Sequence, residues 1–297
     1  MRVAISGASG LIGRTLAESL TADGHTVLRM VRDRASAGPD DVYWSVANRE
    51  IDRDALATAD AVVHLAGEPI GARRWTDEQK ARIRDSRVIG TDLIATAMAE
   101  ISDGPQTLLS GSAVGFYGDR GDEVLTEDAA PGEGFLASVT QQWEASADPA
   151  RAAGIRVVHP RTGVVIAEDG ALIEKVRLPF RLGVGGRVGN GRQWVPWISL
   201  DDEVAALRFL LDHDLEGPVN VTGPEPVRNT ELTKALGTVM RRPTVMPVPV
   251  FALRLLYGEM GVTLATDSTR VRPERLTNAG FTWSHTDLLS ALRAALG

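Results

Sequence analysis

Three glycines near the amino terminus have the spacing of a phosphate-binding loop. Residues 6–13 read SGASGLIG, so Gly7, Gly10 and Gly13 form a G-x-x-G-x-x-G pattern. Glycine permits positive φ at a tight turn and lets the backbone approach a pyrophosphate closely. An apolar strand pattern precedes the loop and a helical pattern follows it, so a helix N-terminus would offer free N–H groups to the anion. The stretch predicts a dinucleotide site, whose loop also contains Ser9, Leu11 and Ile12.

Other common catalytic motifs are absent from the sequence. There is no Gly-Lys pair of a Walker A loop, no H-E-x-x-H and no G-x-S-x-G. With five histidines and no cysteine, a structural metal site is not expected, and disulfide or thiolate chemistry is excluded.

Composition and charge narrow the class of protein. The 297 residues are 43% hydrophobic and 24% charged, which is typical of a globular chain with a substantial core. With 32 Lys+Arg against 39 Asp+Glu, the net charge of −7 argues against a general nucleic-acid-binding protein. No signal-peptide pattern and no long apolar run is present. We expect a cytoplasmic protein with a small-molecule substrate and with neither nucleic acid nor membrane as a partner; the oligomeric state is left open.

The elements that must position the glycine loop alternate between strand and helix through the first 165 residues. Helical patterns cover Leu11–Ala22 and Thr76–Ile101, and a further helix is predicted over 135–144. Short apolar strands separated by helices imply a parallel sheet covered on both faces. The predicted strands are Val3–Ser6, Thr26–Val31, Ala61–Leu65, Thr107–Leu109 and Ile155–His159.

The pattern changes after about residue 166. A Gly- and Arg-rich stretch over 183–197 is interpreted as a loop, and a Pro-punctuated stretch with short helices ends the chain. We therefore predict a nucleotide-binding domain over 1–166, to which 197–222 returns. Residues 167–196 and 223–297 are predicted to form a smaller C-terminal substrate lobe.

Several motifs, in order along the chain, resemble the extended short-chain dehydrogenase/reductase superfamily. They are DAVVHLAG (60–67), SRVIGT (86–91), SGSAVGFYG (110–118), PRTGVVIA (160–167) and WISLDD (197–202). RRW (73–75) and the tail from PVPVFALRLLYG to LTNAGFTW resemble its "epimerase family" subgroup, which ends in a small domain of unknown function and is sometimes labelled cell-division inhibitor. The resemblance implies an α/β fold with a Rossmann-type doubly wound parallel sheet.

The same resemblance implies the cofactor contacts. An arginine at the end of the second strand would pair with the 2′-phosphate of NADP, and Arg32 stands there, although the neighbouring Asp33 keeps NAD as an alternative. We expect NADP. The further contacts that the resemblance implies are Leu65, Ala66, Gly67, Arg87 and Val165.

The proton-transfer pair of the superfamily is missing. Working members carry a tyrosine on the helix after the serine motif and a lysine four residues later, and the lysine lowers the pKa of the tyrosine. In the stretch FLASVTQQWE, Leu136 and Thr140 stand in these places, and the stretch contains neither Tyr nor Lys. Packing of the apolar face accounts for this helix by itself.

Other groups could carry the chemistry. The resemblance places Ser112 at the catalytic serine and Tyr117 in the same loop motif, and we take these two as the candidate catalytic residues. His64, His159 and Glu68 are further possible proton carriers.

The substrate side also departs from the superfamily. Val195 stands where sugar-nucleotide enzymes commonly carry a diphosphate-binding arginine. Arg187 and Arg192 could supply charge from the preceding loop, or be solvated. Trp75, Trp194 and Trp197 could line an apolar pocket or pack in the core.

Three functions remain open. The first is an NADP-dependent oxidoreductase or epimerase-like enzyme with a non-standard proton donor and an unknown substrate. The second is a non-catalytic NADP(H)-binding regulator. The third is an NAD-dependent nucleotide-sugar epimerase, against which the missing pair and Val195 both count.

Overall fold

The computed structural model describes residues 1–297 apart from the side chain of Ser36. Its strands are β1 (Arg2–Ser6), β2 (Thr26–Val31), β3 (Val42–Ser45), β4 (Glu50–Ile51), β5 (Ala61–His64), β6 (Thr107–Ser110), β7 (Ser112–Ala113), β8 (Val124–Leu125), β9 (Arg156–Thr162), β10 (Val164–Ile166), β11 (Trp194–Val195), β12 (Trp197–Ser199), β13 (Gly217–Val221), β14 (Val227–Arg228) and β15 (Arg270–Val271). Its helices are α1 (Leu11–Ala22), α2 (Arg53–Leu56), α3 (Asp77–Glu100), α4 (Phe135–Ala145), α5 (Asp148–Ala152), α6 (Ala171–Arg181), α7 (Leu200–Asp212), α8 (Asn229–Met240), α9 (Val250–Thr266), α10 (Glu274–Asn278) and α11 (Leu288–Leu296).

The central sheet has the strand order β13-β9-β6-β5-β1-β2-β3-β4, with β7 pairing beside β9. All pairings are parallel except that between β3 and β4. The order reverses between β1 and β5, so the carboxyl ends of these strands open at a topological switch point, where such sheets bind ligands. The expected doubly wound parallel sheet is confirmed.

Helices cover both faces of this sheet. Ile5 and Val63 pack on one face with side chains of α1 and α7, and Ala4 and Val62 pack on the other with side chains of α3. Because the central strands β1, β5 and β6 are buried on both faces, their sequences are mostly apolar and do not alternate. The apolar runs were therefore correctly interpreted as parallel strands.

The long helix α3 begins where its sequence provides a cap. The Thr76 hydroxyl accepts a hydrogen bond from the backbone N–H of Gln79 at 3.2 Å, and Asp77 and Glu78 lie in the positive first turn. The helix predicted over 76–101 is confirmed at Asp77–Glu100. The short strand β3 was not predicted.

A second group of elements packs beside the sheet. Side chains of α6, α8 and α11 enclose a separate apolar cluster that includes Trp197. The strand β12 pairs with β10 outside the central sheet, whereas β13 joins the sheet beside β9. The region interpreted as a loop over 183–197 contains the short strand β11, paired with β14. The boundaries of the two lobes stay a prediction.

The helix α9 is longer than the short helices expected and bends at Gly258, where φ is 67° and ψ is −149°. This backbone conformation is essentially restricted to glycine. The bend frees carbonyl groups in the first half of α9, and Arg74 donates hydrogen bonds to those of Leu255 and Leu256. Arg74, in the loop before α3, thereby links the sheet-forming part of the chain to α9.

Within the residues that the structure describes, no helix is both long and apolar enough to cross a bilayer.

Asp202 joins the final segment to the start of α7. Its carboxylate is buried and accepts hydrogen bonds from the N–H groups of Ser284 at 2.6 Å and His285 at 3.1 Å, and from the Ser199 hydroxyl at 2.7 Å. A buried carboxylate with several donors is satisfied electrostatically, and its removal leaves those donors unpaired.

We predict that Asp202→Ala lowers the free energy of unfolding by about 2–3 kcal/mol, because two backbone N–H groups and one hydroxyl lose their acceptor. Urea unfolding followed by circular dichroism measures this. The matched control is Asp201→Ala in the same helical turn, whose side chain is 70% exposed and whose loss should change stability by less than about 0.5 kcal/mol. Equal effects of the two variants would contradict the prediction.

Candidate functional site

The glycine loop between β1 and α1 is a tight turn built on backbone contacts. Gly7 has a φ of 72°, and its carbonyl oxygen accepts a hydrogen bond from the N–H of Gly10 at 2.9 Å. A Cβ atom on Gly13 would lie 2.3 Å from that same oxygen. Both positions therefore exclude a side chain, for conformational reasons at Gly7 and for steric reasons at Gly13.

The first turn of α1 is open to an anion. Gly10 caps the helix without a side-chain hydrogen bond, and no acidic residue lies in the first turn. Ser9 and Gly10 are exposed, while Leu11 and Ile12 are half-buried. Unsatisfied N–H groups and the positive end of the helix dipole favour a phosphate here. The loop fits the pyrophosphate of a dinucleotide, as its spacing predicted.

A buried pair lies beneath this loop. The Ser6 hydroxyl lies 2.5 Å from Nδ1 of His64 and accepts hydrogen bonds from the N–H groups of Leu65 and Ala66. Burial lowers the pKa of His64 to about 3, and its side chain has no exposure. His64 therefore stays neutral at physiological pH and holds the end of β5 against β1.

Arg87 reaches the same edge of the sheet from α3. Its Nη1 donates to the carbonyl oxygens of Glu68 and Ile83, each at 3.0 Å, and its guanidinium lies over the ring of Trp143. Burial lowers the pKa of Arg87 to about 10. A Cβ atom on Gly67 would lie 3.2 Å from this guanidinium. Arg87 is thus half-buried near the carboxyl end of β5 and does not form a surface ion pair. Its contact with a cofactor stays a prediction.

Arg32 follows directly after β2. It is exposed, and among the described residues its guanidinium has no hydrogen-bond or ion-pair partner. The carboxylate of Asp33 instead accepts a hydrogen bond from the N–H of Ala35 at 3.0 Å. A free guanidinium at the end of the second strand is available to a phosphate. Val165 lies half-buried on β10.

The helix α4 confirms that apolar packing occupies the place of the missing pair. Leu136 packs against the backbone of Gly115, and the Thr140 hydroxyl donates to the carbonyl oxygen of Leu136 at 2.8 Å. Neither side chain can exchange a proton with a substrate at neutral pH.

The carboxylate at the end of α4 forms a buried ion pair. Arg161 donates from Nε and Nη2 to the two oxygens of Glu144, each at 2.8 Å, and the Ser112 hydroxyl donates to Oε1 at 2.6 Å. Burial alone would raise the pKa of Glu144, but the hydrogen bonds and charge of Arg161 outweigh it and hold the pKa below its usual value. Glu144 therefore stays ionised, and the Ser112 proton points towards it.

Tyr117 belongs to the same network. Its side chain has no exposure, and its hydroxyl donates to Asn220 at 2.7 Å and accepts from Arg161 at 2.9 Å. Burial raises the pKa of this phenol, although Arg161 opposes the shift. In this arrangement the hydroxyl is buried and engaged by two protein partners, and a catalytic role of Tyr117 stays an untested prediction.

The other proposed proton carriers also have partners. His159 is buried, which lowers its pKa to about 4, and its Nε2 lies 3.1 Å from Arg151. Glu68 is half-buried and accepts from the Gln79 amide at 3.1 Å.

The three tryptophans divide between core and surface. Trp197 is buried in the second cluster, so it is a core residue. Trp75 packs edge-on against Phe135, and Trp194 lies between the guanidinium groups of Arg228 and Arg270.

A pocket of about 380 Å³ lies near Trp194, lined by Asp122, Arg192 and Arg228 among others. It is not at the glycine loop. An extended dinucleotide binds along an open sheet edge and does not need a closed cavity, so the distance of this pocket from the loop does not count against the predicted cofactor site. Val195 is half-buried on β11. The described residues contain no group of three or more His, Cys, Asp or Glu side chains that could hold a metal ion.

A buried acid lies where the sequence gave no indication of one. Glu203, in the first turn of α7, has no exposure and accepts a hydrogen bond from the Thr162 hydroxyl at 2.8 Å at the carboxyl end of β9. Its second oxygen has no hydrogen-bond partner among the described residues. Burial raises the pKa of Glu203 to about 8, so this acid is protonated at neutral pH.

Sequence reasoning also missed the role of Arg161. Only the motif PRTGVV drew attention to it, while its partner Glu144 is 17 residues away. Glu144 ends the stretch FLASVTQQWE and Arg161 lies in PRTGVVIA, so both residues were visible in the sequence. Nothing in their spacing showed that they pair.

Comparison with known proteins finds two family matches along the chain. Residues 3–222 match the NAD dependent epimerase/dehydratase family, and residues 248–295 match a domain of unknown function, DUF1731. An epimerase family protein of Mycobacterium leprae is 43% identical over 294 residues, covering 99% of this chain and 95% of its own length.

Two solved structures have the same fold over the whole chain. The human epimerase family protein SDR39U1, solved with NADPH, is 29% identical with a TM-score of 0.87, covering 100% of this chain and 99% of its own. A nucleoside-diphosphate sugar epimerase from Corynebacterium glutamicum is 36% identical with a TM-score of 0.83; all of this chain matches, but only 58% of that longer chain.

We predict that Glu203 makes stability depend on pH. Its pKa is about 8 in the folded protein and has its usual value of 4.5 when unfolded, so the folded state keeps a proton that the unfolded state releases. The contribution is fully present below pH 4.5 and is lost as the pH rises towards 8. Relative to wild type, Glu203→Gln should therefore be more stabilising at pH 8 than at pH 5, by about 2–4 kcal/mol.

Urea unfolding of both proteins at the two pH values measures this difference. Glu18→Gln on the exposed face of α1 is the control and should show no such dependence. A Glu203→Gln effect that is the same at both pH values would show that the acid is ionised in the folded protein.

Proposed function

Because the chain belongs to the NAD dependent epimerase/dehydratase family, we propose that it is a cytoplasmic NADP-dependent oxidoreductase or epimerase-like enzyme. Its small-molecule substrate would lie between the carboxyl edge of the sheet and the C-terminal lobe. The observation that carries the proposal is the uncapped first turn of α1 above a glycine loop that excludes side chains at Gly7 and Gly13.

Arg32 supports the choice of NADP over NAD. Its guanidinium is exposed and free of protein partners in the described residues, at the strand end where an adenosine ribose lies in this fold. A 2′-phosphate would form charge-assisted hydrogen bonds with it. The human relative was solved with NADPH, which favours the same choice.

The arrangement around Ser112 suggests how the chain would treat a substrate. When bound, a nicotinamide cofactor supplies hydride chemistry. The Ser112 proton is directed at the ionised Glu144, so its oxygen is available to accept a hydrogen bond from a substrate hydroxyl. Ser112 would orient such a group, while the proton for reduction would come from another donor, since Glu144 holds none.

The second candidate is a non-catalytic NADP(H)-binding regulator. It is favoured by the apolar packing of Leu136 and by the burial of Tyr117. The third, an NAD-dependent nucleotide-sugar epimerase, is supported by the description of the Corynebacterium structure, whereas the missing pair and Val195 count against it.

We predict that NADPH binds at least about tenfold more tightly than NADH, because a charge-assisted hydrogen bond contributes about 1.5–3 kcal/mol. Arg32→Ala should remove most of this difference and leave NADH affinity unchanged. Isothermal titration calorimetry measures both. The control is Arg49→Ala, another exposed arginine, which should preserve the preference. Equal affinities of the wild type for the two cofactors would refute the assignment.

We further predict that NADPH is consumed with a carbonyl substrate, measured by its absorbance in a substrate screen. For a carbonyl substrate that also carries a hydroxyl group, Ser112→Ala should lower kcat/KM by about tenfold or more, because that hydroxyl loses its hydrogen-bond acceptor. Ser138→Ala on the exposed face of α4 is the matched control and should retain full activity. NADPH binding without turnover of any substrate would favour the regulator.

A further inference from the structure

The exposed apolar side chains of this protein are concentrated in one region. Of the eleven large hydrophobic residues that are exposed in the described chain, eight lie in α6 and the loop after it, in the segment that leads into α9, or in the first half of α9. We call this region the apolar surface. Its members are Leu178, Leu182, Val184, Val245, Met246, Phe251, Leu255 and Leu256.

Helical spacing arranges these side chains in stripes. Phe251 and Leu255 are 75% and 74% exposed and lie one turn apart on α9. Leu178 on α6 and Leu182, the residue that caps its carboxyl end, are likewise one turn apart, at 64% and 68% exposure. Such clusters are unusual on the surface of a monomer and mark interaction sites.

Contacts between the segments bring the two stripes into one region. The ammonium of Lys175 on α6 lies 5.5 Å from the centre of the Tyr257 ring on α9. Gly186 packs directly on the carbonyl group of Met246. The N–H of Val248 donates to the carbonyl oxygen of Arg187 at 2.8 Å. The loop after α6 therefore runs beside the segment that enters α9.

The charge of this region is opposite to that of the whole protein. Residues 171–187 and 241–256 contain seven Lys or Arg and one acidic residue, in a chain whose net charge is −7. Arg181, Arg241, Arg242 and Arg254 are exposed, and none of them has an ion-pair partner in the part of the chain that the structure describes. The apolar stripes are thus accompanied by unneutralised positive charge.

The combination of exposed apolar side chains and unpaired positive charge indicates which kind of partner binds this surface. A helix face with Phe, Leu and Arg suits the boundary between headgroups and acyl chains, where apolar burial and attraction to anionic lipid add together. A second copy would bring two positively charged surfaces face to face, which is unfavourable in a two-fold interface. A small ligand is enclosed by its pocket, whereas these side chains point to solvent.

We propose that the apolar surface docks the protein peripherally on an anionic phospholipid bilayer. The Arg and Lys side chains would meet the lipid phosphates, and Phe251, Leu255 and their neighbours would enter the headgroup region. The sequence had led us to expect no membrane partner, because the signal is spread over two segments that only the fold brings together. The proposal does not depend on the nature of the cofactor or on turnover.

Vesicle flotation of the full chain tests the proposal. Vesicles of phosphatidylcholine with about 30% phosphatidylglycerol should bind the protein at about 0.1 M salt, and the affinity should fall at least about tenfold at about 0.5 M salt. Vesicles of phosphatidylcholine alone should bind at least about tenfold more weakly. Absence of binding to the anionic vesicles, or equal binding to both kinds, would overturn the proposal.

Two double variants test whether the apolar surface is the part of the protein that binds the vesicles. Phe251→Ser with Leu255→Ser, and separately Arg181→Glu with Arg254→Glu, should each lower affinity for anionic vesicles by about tenfold or more, since each basic residue contributes about fivefold. All four positions are exposed, so folding is retained, and thermal unfolding and NADPH affinity serve as checks.

The matched controls lie elsewhere on the surface. Val124→Ser replaces a side chain that is 48% exposed, and Arg49→Glu reverses an exposed charge; both should bind as the wild type. If the two paired variants also bind as the wild type, the proposal fails. It fails equally if ultracentrifugation shows a dimer that Phe251→Ser with Leu255→Ser disrupts while vesicles are not bound.

Discussion

The contact between the carbonyl oxygen of Gly7 and the backbone of Gly13 is the constraint on which the nucleotide-binding half depends. A Cβ atom at residue 13 would lie 2.3 Å from that oxygen, so the chain can turn from β1 into α1 only with glycine there. The turn places the uncapped start of α1 above the carboxyl edge of the sheet. Gly7 in turn lies against Leu65 and Ala66, and the Ser6 hydroxyl receives their N–H groups. This close approach of the backbone thus fixes the positions of β1, α1 and β5 relative to one another.

The network around Arg161 shows what the chain retains after the loss of the usual proton-transfer pair. Glu144, Ser112, Tyr117 and Asn220 are joined through this guanidinium. A buried ion pair with good geometry holds its partners in place, and removing one member leaves an uncompensated charge. The network therefore fixes the loop that carries Ser112, while the proton chemistry of the tyrosine and lysine has no equivalent in it. This combination is compatible with both an enzyme that uses another donor and a regulator.

Two buried titratable groups near the carboxyl ends of the strands are neutral. His64 is neutral because burial lowers its pKa to about 3, and Glu203 is neutral because burial raises its pKa to about 8. In both cases removal from water disfavours the charged form. These two residues therefore add no charge to the carboxyl edge of the sheet at neutral pH.

Local spacing along the chain was sufficient to predict the parallel sheet, the glycine loop and the helices α1, α3 and α4, because glycine positions and apolar runs act within a few residues. The resemblance to the extended superfamily, and not the spacing, indicated that Leu136 and Thr140 stand in the places of the catalytic pair. Neither revealed that Glu144 pairs with Arg161, that Tyr117 is buried, that Glu203 is protonated, or that α6 and α9 share one apolar surface. Those properties depend on which distant segments meet and on how completely water is excluded between them, and only the tertiary structure decides that.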